Sequence, residues 1–198
     1  MTDYPSVDRL AQLQQMIADF ARVERMPHLA DLERAENDVE HSFGLAITCW
    51  YLHPKIAPEL DLLEILKYAL SHDIVELHAG DTFAFSKDRE YVAAKEPRER
   101  AALVKIKQDW PDFGDISTYA EQYMDKISEE AKFVKAVDKL LPLIMIELGE
   151  GTRYWKRHGI NRNNLATDKQ TIKVSKVIEP YYEKTFAWLD KNGNLPKG

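Results

Sequence analysis

Apolar residues recur at intervals of three and four along most of this chain, which is the spacing of amphipathic helices. In the first such segment the apolar positions are Leu10, Leu13, Met16, Ile17 and Phe20. Ser6 precedes them and is a suitable N-cap, because its hydroxyl can accept a hydrogen bond from a free backbone amide. Alternating β-branched runs are few, and no Asn-Gly pair separates two apolar segments. The pattern predicts an all-α fold.

Further helices are predicted from about residue 37, from residue 61, and over 99–110, 116–128, 129–148 and 167–189. Asp61 with Glu64 resembles a capping box, and Ser128 is a second candidate cap. Pro54 is expected to break the chain after the second helix. The polar residues 25–37 lack periodicity and are predicted to form an ordered loop.

Two helices are given an apolar face by this pattern. The face of the second helix consists of Phe43, Ala46, Ile47 and Trp50, and that of the third of Leu62, Ile65, Leu66, Ala69 and Leu70. Residues 79–92 begin with a turn and are expected to cover a site, and residues 149–164 are predicted to be rich in loops.

The length of 198 residues suits one domain. We expect a single domain over 1–198, with a ligand-bearing core at about 7–150 and a helical extension at about 151–190. The net charge of −6, without a basic stripe, argues against nucleic-acid polymers as partners, and no apolar run is long enough to span a membrane. A single cysteine and the lack of an apolar leader suggest a cytoplasmic protein.

Histidines and carboxylates stand at three separated places in the predicted helices. They are His41, the adjacent pair His72-Asp73, and Asp138 inside an apolar segment. Burying an imidazole beside a carboxylate costs free energy unless a cation or a hydrogen bond compensates. Two imidazoles and two carboxylates suit one divalent transition metal, namely Mn, Fe, Co, Ni or Zn. Some of these residues also have an ordinary alternative: a hydrogen-bonded or surface histidine for His41, and a buried acid paired with Lys139 or an arginine for Asp138.

The order of these residues resembles the HD-domain metal-dependent phosphohydrolases. The matching elements are Arg34-Ala-Glu-Asn-Asp-Val-Glu-His41-Ser, then His72-Asp73-Ile-Val-Glu76 with Gly80-Asp81, then Asp138. With Arg25-x-Pro27 ahead of the first histidine, the spacing is closest to the 5′-deoxynucleotidase branch. The resemblance covers roughly residues 7–150 and implies a compact helical bundle with the metal in a central cleft.

The resemblance also implies roles for individual residues. The metal ligands would be His41, His72, Asp73 and Asp138. Glu76 would orient or deprotonate the attacking water, or protonate the leaving oxygen. Asp81 would meet the sugar of a nucleotide, Arg25 would bind the phosphate, and Lys87 would supply a basic group over the site. Arg34 is expected to brace its loop through ion pairs.

One position departs from the pattern. Related deoxynucleotidases carry an aromatic residue directly after the loop arginine, whereas this chain has Met26, so discrimination between deoxyribose and ribose stays open. Phe83, Phe85 and Tyr91 are candidates to stack on a base, or to pack in the core under a lid.

Three hypotheses follow. The first is a 5′-nucleotidase that releases phosphate from deoxyribonucleoside 5′-monophosphates. The second keeps the metal but takes another small phosphate ester, such as a nucleoside triphosphate or a ppGpp-like alarmone. The third is a metal-stabilised binding protein without turnover. Similar proteins are often homodimers, and we expect one here.

Overall fold

Helices dominate the computed structural model, which describes residues 4–28, 34–149 and 151–192. The α-helices are α1 (Val7–Phe20), α2 (Asp38–Ile56), α3 (Leu62–Ser71), α4 (Glu76–Ala79), α5 (Arg89–Ala93), α6 (Lys95–Asp109), α7 (Gly114–Asp125), α8 (Glu129–Leu148), α9 (Thr152–Arg157), α10 (Arg162–Asp168) and α11 (Glu179–Asn192). A 3₁₀ helix covers Lys169–Val174, and two short strands, β1 (Glu24–His28) and β2 (Ala35–Asn37), complete the described elements. The prediction of an all-α fold is confirmed.

The predicted helix starts are confirmed where a side chain caps the helix. Ser6 accepts a hydrogen bond from the amide of Arg9, and Ser128 accepts one from the amide of Ala131. Asp61 accepts two, from the amides of Leu63 and Glu64. Each cap satisfies backbone donors that the first turn of a helix leaves free.

Residues 25–37 differ from the predicted loop, because part of the segment forms an antiparallel strand pair. Glu24 lies opposite Asn37, and His28 lies opposite Ala35. The strands span only five and three residues, too few for an alternating pattern to stand out in the sequence. The pair holds Arg25 and Glu36 next to the start of α2.

The predicted apolar face of α2 is confirmed only at Ala46, which is buried, and is wrong for its other three residues. Phe43, Ile47 and Trp50 are exposed, whereas Leu45 and Cys49 on the opposite side are buried. The helix is apolar on both sides, so periodicity alone could not tell which side faces the core. Leu70 on α3 is likewise exposed.

Two predicted element bounds also differ from the structure. Pro54 does not end α2, which continues to Ile56. Residues 149–164 contain α9 instead of loop alone.

Two hydrophobic clusters form the core of the described chain. The larger one centres on α8 and includes side chains of α2, α3 and the helices after residue 150. The smaller one joins α1, α4, α6 and α7. Tyr68 and Ala69 belong to the larger cluster, whereas Ile74 and Val75 belong to the smaller one. The turn over residues 72–75 therefore connects the two clusters.

Because of this turn, His72, Asp73 and Glu76 do not lie on one continuous helix. α3 ends at Ser71, and α4 begins at Glu76. Between them the backbone is tightened into three-residue hydrogen-bonded turns, including Glu76 N–H to the Asp73 carbonyl at 2.8 Å. Within the described residues, no helix has the length and apolarity needed to cross a membrane.

Candidate metal centre

Three elements bring the four predicted ligands together. Asn37 caps α2 in a capping box with Glu40, which places His41 in the first turns of that helix. His72 and Asp73 follow the end of α3, and Asp138 lies in the middle of α8. His41, His72 and Asp138 are buried, and Asp73 is nearly so.

The four side chains form one cluster. His41 Nε2 lies 3.1 Å from Asp138 Oδ1, and His72 Nε2 lies 3.9 Å from the same oxygen. His72 Nε2 is 2.8 Å from Asp73 Oδ2. One ligand atom from each of His41, His72 and Asp73 falls within 4.8 Å of the other two. The imidazole rings have their centroids 5.3 Å apart.

The tautomer of His72 indicates that this cluster fits a cation. Its Nδ1–H donates to the Ala69 carbonyl at 2.9 Å, so Nε2 of the neutral ring carries a lone pair. Nε2 is buried and makes no hydrogen bond of acceptable geometry, despite its closeness to Asp73 Oδ2. Two lone-pair atoms at 2.8 Å repel unless a proton or a metal ion lies beside them. This donor set of imidazole nitrogens and carboxylate oxygens suits a divalent transition metal.

Two groups that sequence reasoning missed hold these side chains in place. Glu36 on β2 has its Oε2 3.5 Å from His41 Nδ1, the arrangement by which a carboxylate orients a ligating histidine. Tyr123 on α7 donates its hydroxyl hydrogen to Asp138 Oδ2 at 2.8 Å, and its ring packs edge-on against His72. Glu36 stands beside the cap residue in the Arg-x-Glu-Asn segment, but no spacing rule pointed to Tyr123.

The two oxygens of Asp138 have different surroundings. Oδ1 faces the two imidazoles, whereas Oδ2 accepts from Tyr123 and lies 3.3 Å from Lys139 Nζ and 3.7 Å from Lys135 Nζ. Burial alone would raise the pKa of Asp138, but Lys139, His41 and Lys135 outweigh it and lower the pKa well below its usual value. Asp138 is therefore held as an anion with one oxygen directed at the histidines.

A prediction follows for Tyr123→Phe, which removes only the hydroxyl group. The variant should bind Co²⁺ or Mn²⁺ about tenfold more weakly, because Asp138 loses a partner that orients it. Titration calorimetry measures the affinity, and Tyr119→Phe is the matched control because its hydroxyl donates to Glu64 instead. Equal affinities for Tyr123→Phe and the wild-type protein would remove this role from Tyr123.

Arg25 lies next to the cluster as a buried cation. Its Nη1 donates to Asp73 Oδ2 at 2.7 Å and to Asp38 Oδ1 at 3.2 Å, and its Nε lies 3.7 Å from Glu36 Oε2. Burial and the charge of Asp73 raise the pKa of Asp38 to about 7, although Arg25 opposes this shift. Arg25 thus partly offsets a group of carboxylates that burial would otherwise protonate.

Glu76 is the other buried carboxyl group beside the cluster. Its Oε1 lies 3.4 Å from Lys95 Nζ, and its Oε2 has no hydrogen-bond partner in the described structure. Burial and the charge of Asp73 raise the pKa of Glu76 well above its usual value, against the opposing effect of Lys95. Lys95 also pairs with Glu99 at 3.1 Å. Lys95 was missed because it comes from α6, 19 residues beyond Glu76, with no motif to mark it.

A cavity of about 490 Å³ opens onto this cluster. Arg25, Glu76, Asp81 and Lys95 all line it, as do His72, Asp73 and Asp138. Lys87, the basic residue expected over the site, is exposed and is not part of the lining. The basic side chain that lies beside Glu76 is Lys95.

Of the other residues named in the sequence analysis, some line the cavity and some do not. Arg34 Nη1 donates to Glu40 Oε2 at 2.8 Å, outside the cavity, as expected for a residue that braces its loop. The side chain of Met26 lies outside the described part of the chain. Phe83 and Phe85 line the cavity, whereas the Tyr91 ring is exposed and packs on the guanidinium of Arg98.

Comparison with known proteins gives the same picture. A model of the HD domain matches residues 18–179. A crystal structure of a predicted metal-dependent phosphohydrolase from Magnetospirillum magnetotacticum MS-1 is 28% identical, covers 94% of this chain and 95% of its own, and superposes with a TM-score of 0.76. A conserved hypothetical protein from Pyrococcus furiosus is 20% identical over 89% of this chain and 99% of its own, with a TM-score of 0.62, and shares the fold. A search of curated proteins found no match. Because the HD-domain model spans most of its length, this chain belongs to the HD-domain family.

Proposed function

We propose that this protein is a metal-dependent phosphohydrolase that acts as a 5′-nucleotidase on deoxyribonucleoside 5′-monophosphates. The observation that carries the proposal is a cluster of His41, His72, Asp73 and Asp138, the last three of which line one cavity together with Arg25 and the carboxyl group of Glu76. The similarity to a protein described as a predicted metal-dependent phosphohydrolase supports the reaction class.

The metal would be held by His41, His72, Asp73 and Asp138. Such an ion lowers the pKa of a water molecule and polarises a phosphoryl oxygen. Glu36, through His41, and Tyr123, through Asp138, keep these ligands oriented.

The remaining residues bind the phosphate and move protons. Arg25 presents a guanidinium, which pairs with phosphate oxygens through two parallel hydrogen bonds. Lys95 adds a second positive charge on the Glu76 side of the cavity. Glu76, with its raised pKa, is suited to accept a proton from the attacking water and to pass one to the leaving alkoxide.

The choice of substrate follows the resemblance to the deoxynucleotidase branch. Asp81 follows Gly80, whose positive φ of 71° turns the chain out of α4, and lines the cavity. By the same resemblance we assign Asp81 to the sugar of the nucleotide. Cavities of 300–1,000 Å³ are typical for small-molecule ligands, so about 490 Å³ suits one nucleotide.

A substrate screen tests the proposal. The purified protein, loaded with Mn²⁺ or Co²⁺, is incubated with deoxyribo- and ribonucleoside mono- and triphosphates and with ppGpp. Release of inorganic phosphate from deoxyribonucleoside monophosphates supports the proposal. Release of pyrophosphate or tripolyphosphate instead would assign another substrate, and no release with any metal would favour a binding protein without turnover.

We also propose that the protein is a homodimer in which α2 lies at the interface. Phe43, Ile47 and Trp50 follow one face of α2 and are 64%, 46% and 55% exposed. Phe43 lies along an apolar groove that Ile17 and Phe113 also line. A stable interface buries about 800 Å² of surface on each partner and has an apolar centre. The exposed side chains of α2 can form that apolar centre. A second copy presenting the same face would cover it.

The dimer proposal predicts that Phe43→Glu with Trp50→Glu yields a monomer. Burying two carboxylates at an apolar interface costs far more than leaving them in water. Analytical ultracentrifugation at micromolar concentration measures the oligomeric state. Val104→Glu on α6 is the control, because Val104 is also an exposed apolar residue. A monomeric wild-type protein, or a double variant that remains dimeric, would contradict the proposal.

A further inference from the structure

The cavity continues along α8 beyond the metal cluster, and its lining changes there from charged to apolar side chains. Lys135 and Lys139 flank Asp138, whereas Leu143 and Ile146, further along the helix, line the same cavity with apolar side chains. The eight steps from residue 138 to residue 146 span roughly 12 Å of helix. The cavity therefore has a charged end at the cluster and an apolar end about two helical turns away.

Aromatic rings also line the cavity, and two of them pack against the core cluster that contains Leu143 and Ile146. Phe83 and Phe85 lie in the segment after α4, with their ring centroids 5.8 Å apart. Phe83 also contacts the ring of His158 at 5.1 Å, and His158 contacts Tyr154 at 4.5 Å. Both phenylalanines line the cavity and are only partly buried, so they are not simply core residues. Tyr154, which also lines it, is buried behind them.

One short segment supplies several of the side chains that line the cavity. Glu76 lies beside the cluster, Asp81 follows the turn at Gly80, and Phe83 and Phe85 come next. Along the chain, the carboxyl group proposed to transfer protons is followed by the carboxylate proposed to bind the sugar and then by two aromatic rings. A nucleotide presents its phosphate, sugar and base in the same order.

We infer that Phe83 and Phe85, with the apolar wall of Leu143 and Ile146, form a subsite for the base of the nucleotide. The inference rests on the proposed function and adds a binding site for a flat aromatic heterocycle to it. Stacking on aromatic side chains tolerates any base, because every base has a π-face. The subsite thus contributes binding energy to both purine and pyrimidine substrates.

The test compares two substrates that differ only in the base. Phe83→Leu with Phe85→Leu keeps apolar volume but removes both π-faces, and kcat/KM is measured for dAMP and for 2-deoxyribose 5-phosphate. We expect a loss of about tenfold or more for dAMP, mainly through KM. The value for 2-deoxyribose 5-phosphate should stay within about twofold of the wild-type value. Tyr91→Leu is the matched control, because the exposed Tyr91 ring packs on Arg98 and lies outside the cavity lining.

A binding measurement separates this inference from the proposed function. Deoxyadenosine, which has no phosphate, is titrated calorimetrically into the wild-type protein and the double variant. Weaker binding to the variant supports the base subsite even if the screen assigns hydrolysis to another phosphate ester. Absence of deoxyadenosine binding by the wild-type protein, equal binding by both, or equal losses on dAMP and 2-deoxyribose 5-phosphate would overturn it.

Discussion

Replacing Asp73 with alanine is expected to abolish both metal binding and hydrolysis. Asp73 lies between His72 Nε2 at 2.8 Å and Arg25 Nη1 at 2.7 Å, so the candidate metal ligands and the arginine that we propose binds phosphate share it. Its loss removes one anionic ligand and leaves the guanidinium of Arg25 without its shortest hydrogen bond. We expect hydrolysis to fall by at least about a thousandfold, equivalent to about 4 kcal/mol of transition-state stabilisation.

Metal content and activity are measured on the same preparation. The variant is dialysed against Mn²⁺ or Co²⁺, its metal is counted by mass spectrometry, and phosphate release is assayed with the preferred substrate. Asp115→Ala is the matched control, because Asp115 is an exposed aspartate paired with Lys67 on the surface, where ion pairs contribute little. Stoichiometric metal in Asp73→Ala would remove Asp73 from the proposed ligand set.

The sequence predicted the start of a helix well where a capping residue precedes an apolar periodic run. Ser6, Asp61 and Ser128 each cap a helix, because a short polar side chain before an apolar periodic run satisfies free backbone amides whatever the tertiary context. The orientation of α2 could not be predicted, since Phe43 and Cys49 lie on opposite sides of one apolar helix. Which side faces the core depends on α3 and α8, and a sequence pattern does not contain their positions.

The residues of the candidate site likewise fall into those that the sequence predicted and those that it did not. His41, His72, Asp73 and Asp138 stood out because polar residues interrupt apolar segments in a specific order, and the structure places them together. Lys95, Tyr123 and Glu36 did not stand out as site residues. A lysine on a charged helix, a tyrosine on a weakly amphipathic one and a glutamate in a polar segment are ordinary in those settings, and only tertiary packing brings them to the cluster.

Lys87 shows the limit of carrying a residue over by position. The expected basic residue lies in an exposed segment, whereas Lys95, eight positions later at the start of α6, reaches Glu76. The resemblance implied a basic group over the site at Lys87, whereas the lysine that lies beside Glu76 depends on where the chain turns after Gly80. This difference bears directly on the mechanism, because Lys95 and Asp73 shift the pKa of Glu76 in opposite directions.

Glu76→Gln is expected to retain the metal and lose most of the turnover. The substitution keeps the size of the side chain but removes the group that accepts and donates a proton, a role that contributes about 10²- to 10⁴-fold in rate. Metal content should stay near that of the wild-type protein, because Glu76 is not among the four proposed ligands, while kcat falls and KM changes little.

Glu99→Gln separates proton transfer from general electrostatics. Glu99 contacts the same lysine as Glu76, at 3.1 Å, so its substitution also releases Lys95 from one carboxylate but leaves the proton-transfer group intact. If Glu76 works through proton transfer, Glu99→Gln should retain kcat within a few-fold. If the two variants lose activity equally, the function of Glu76 is to hold Lys95, and proton transfer must come from elsewhere in the cavity.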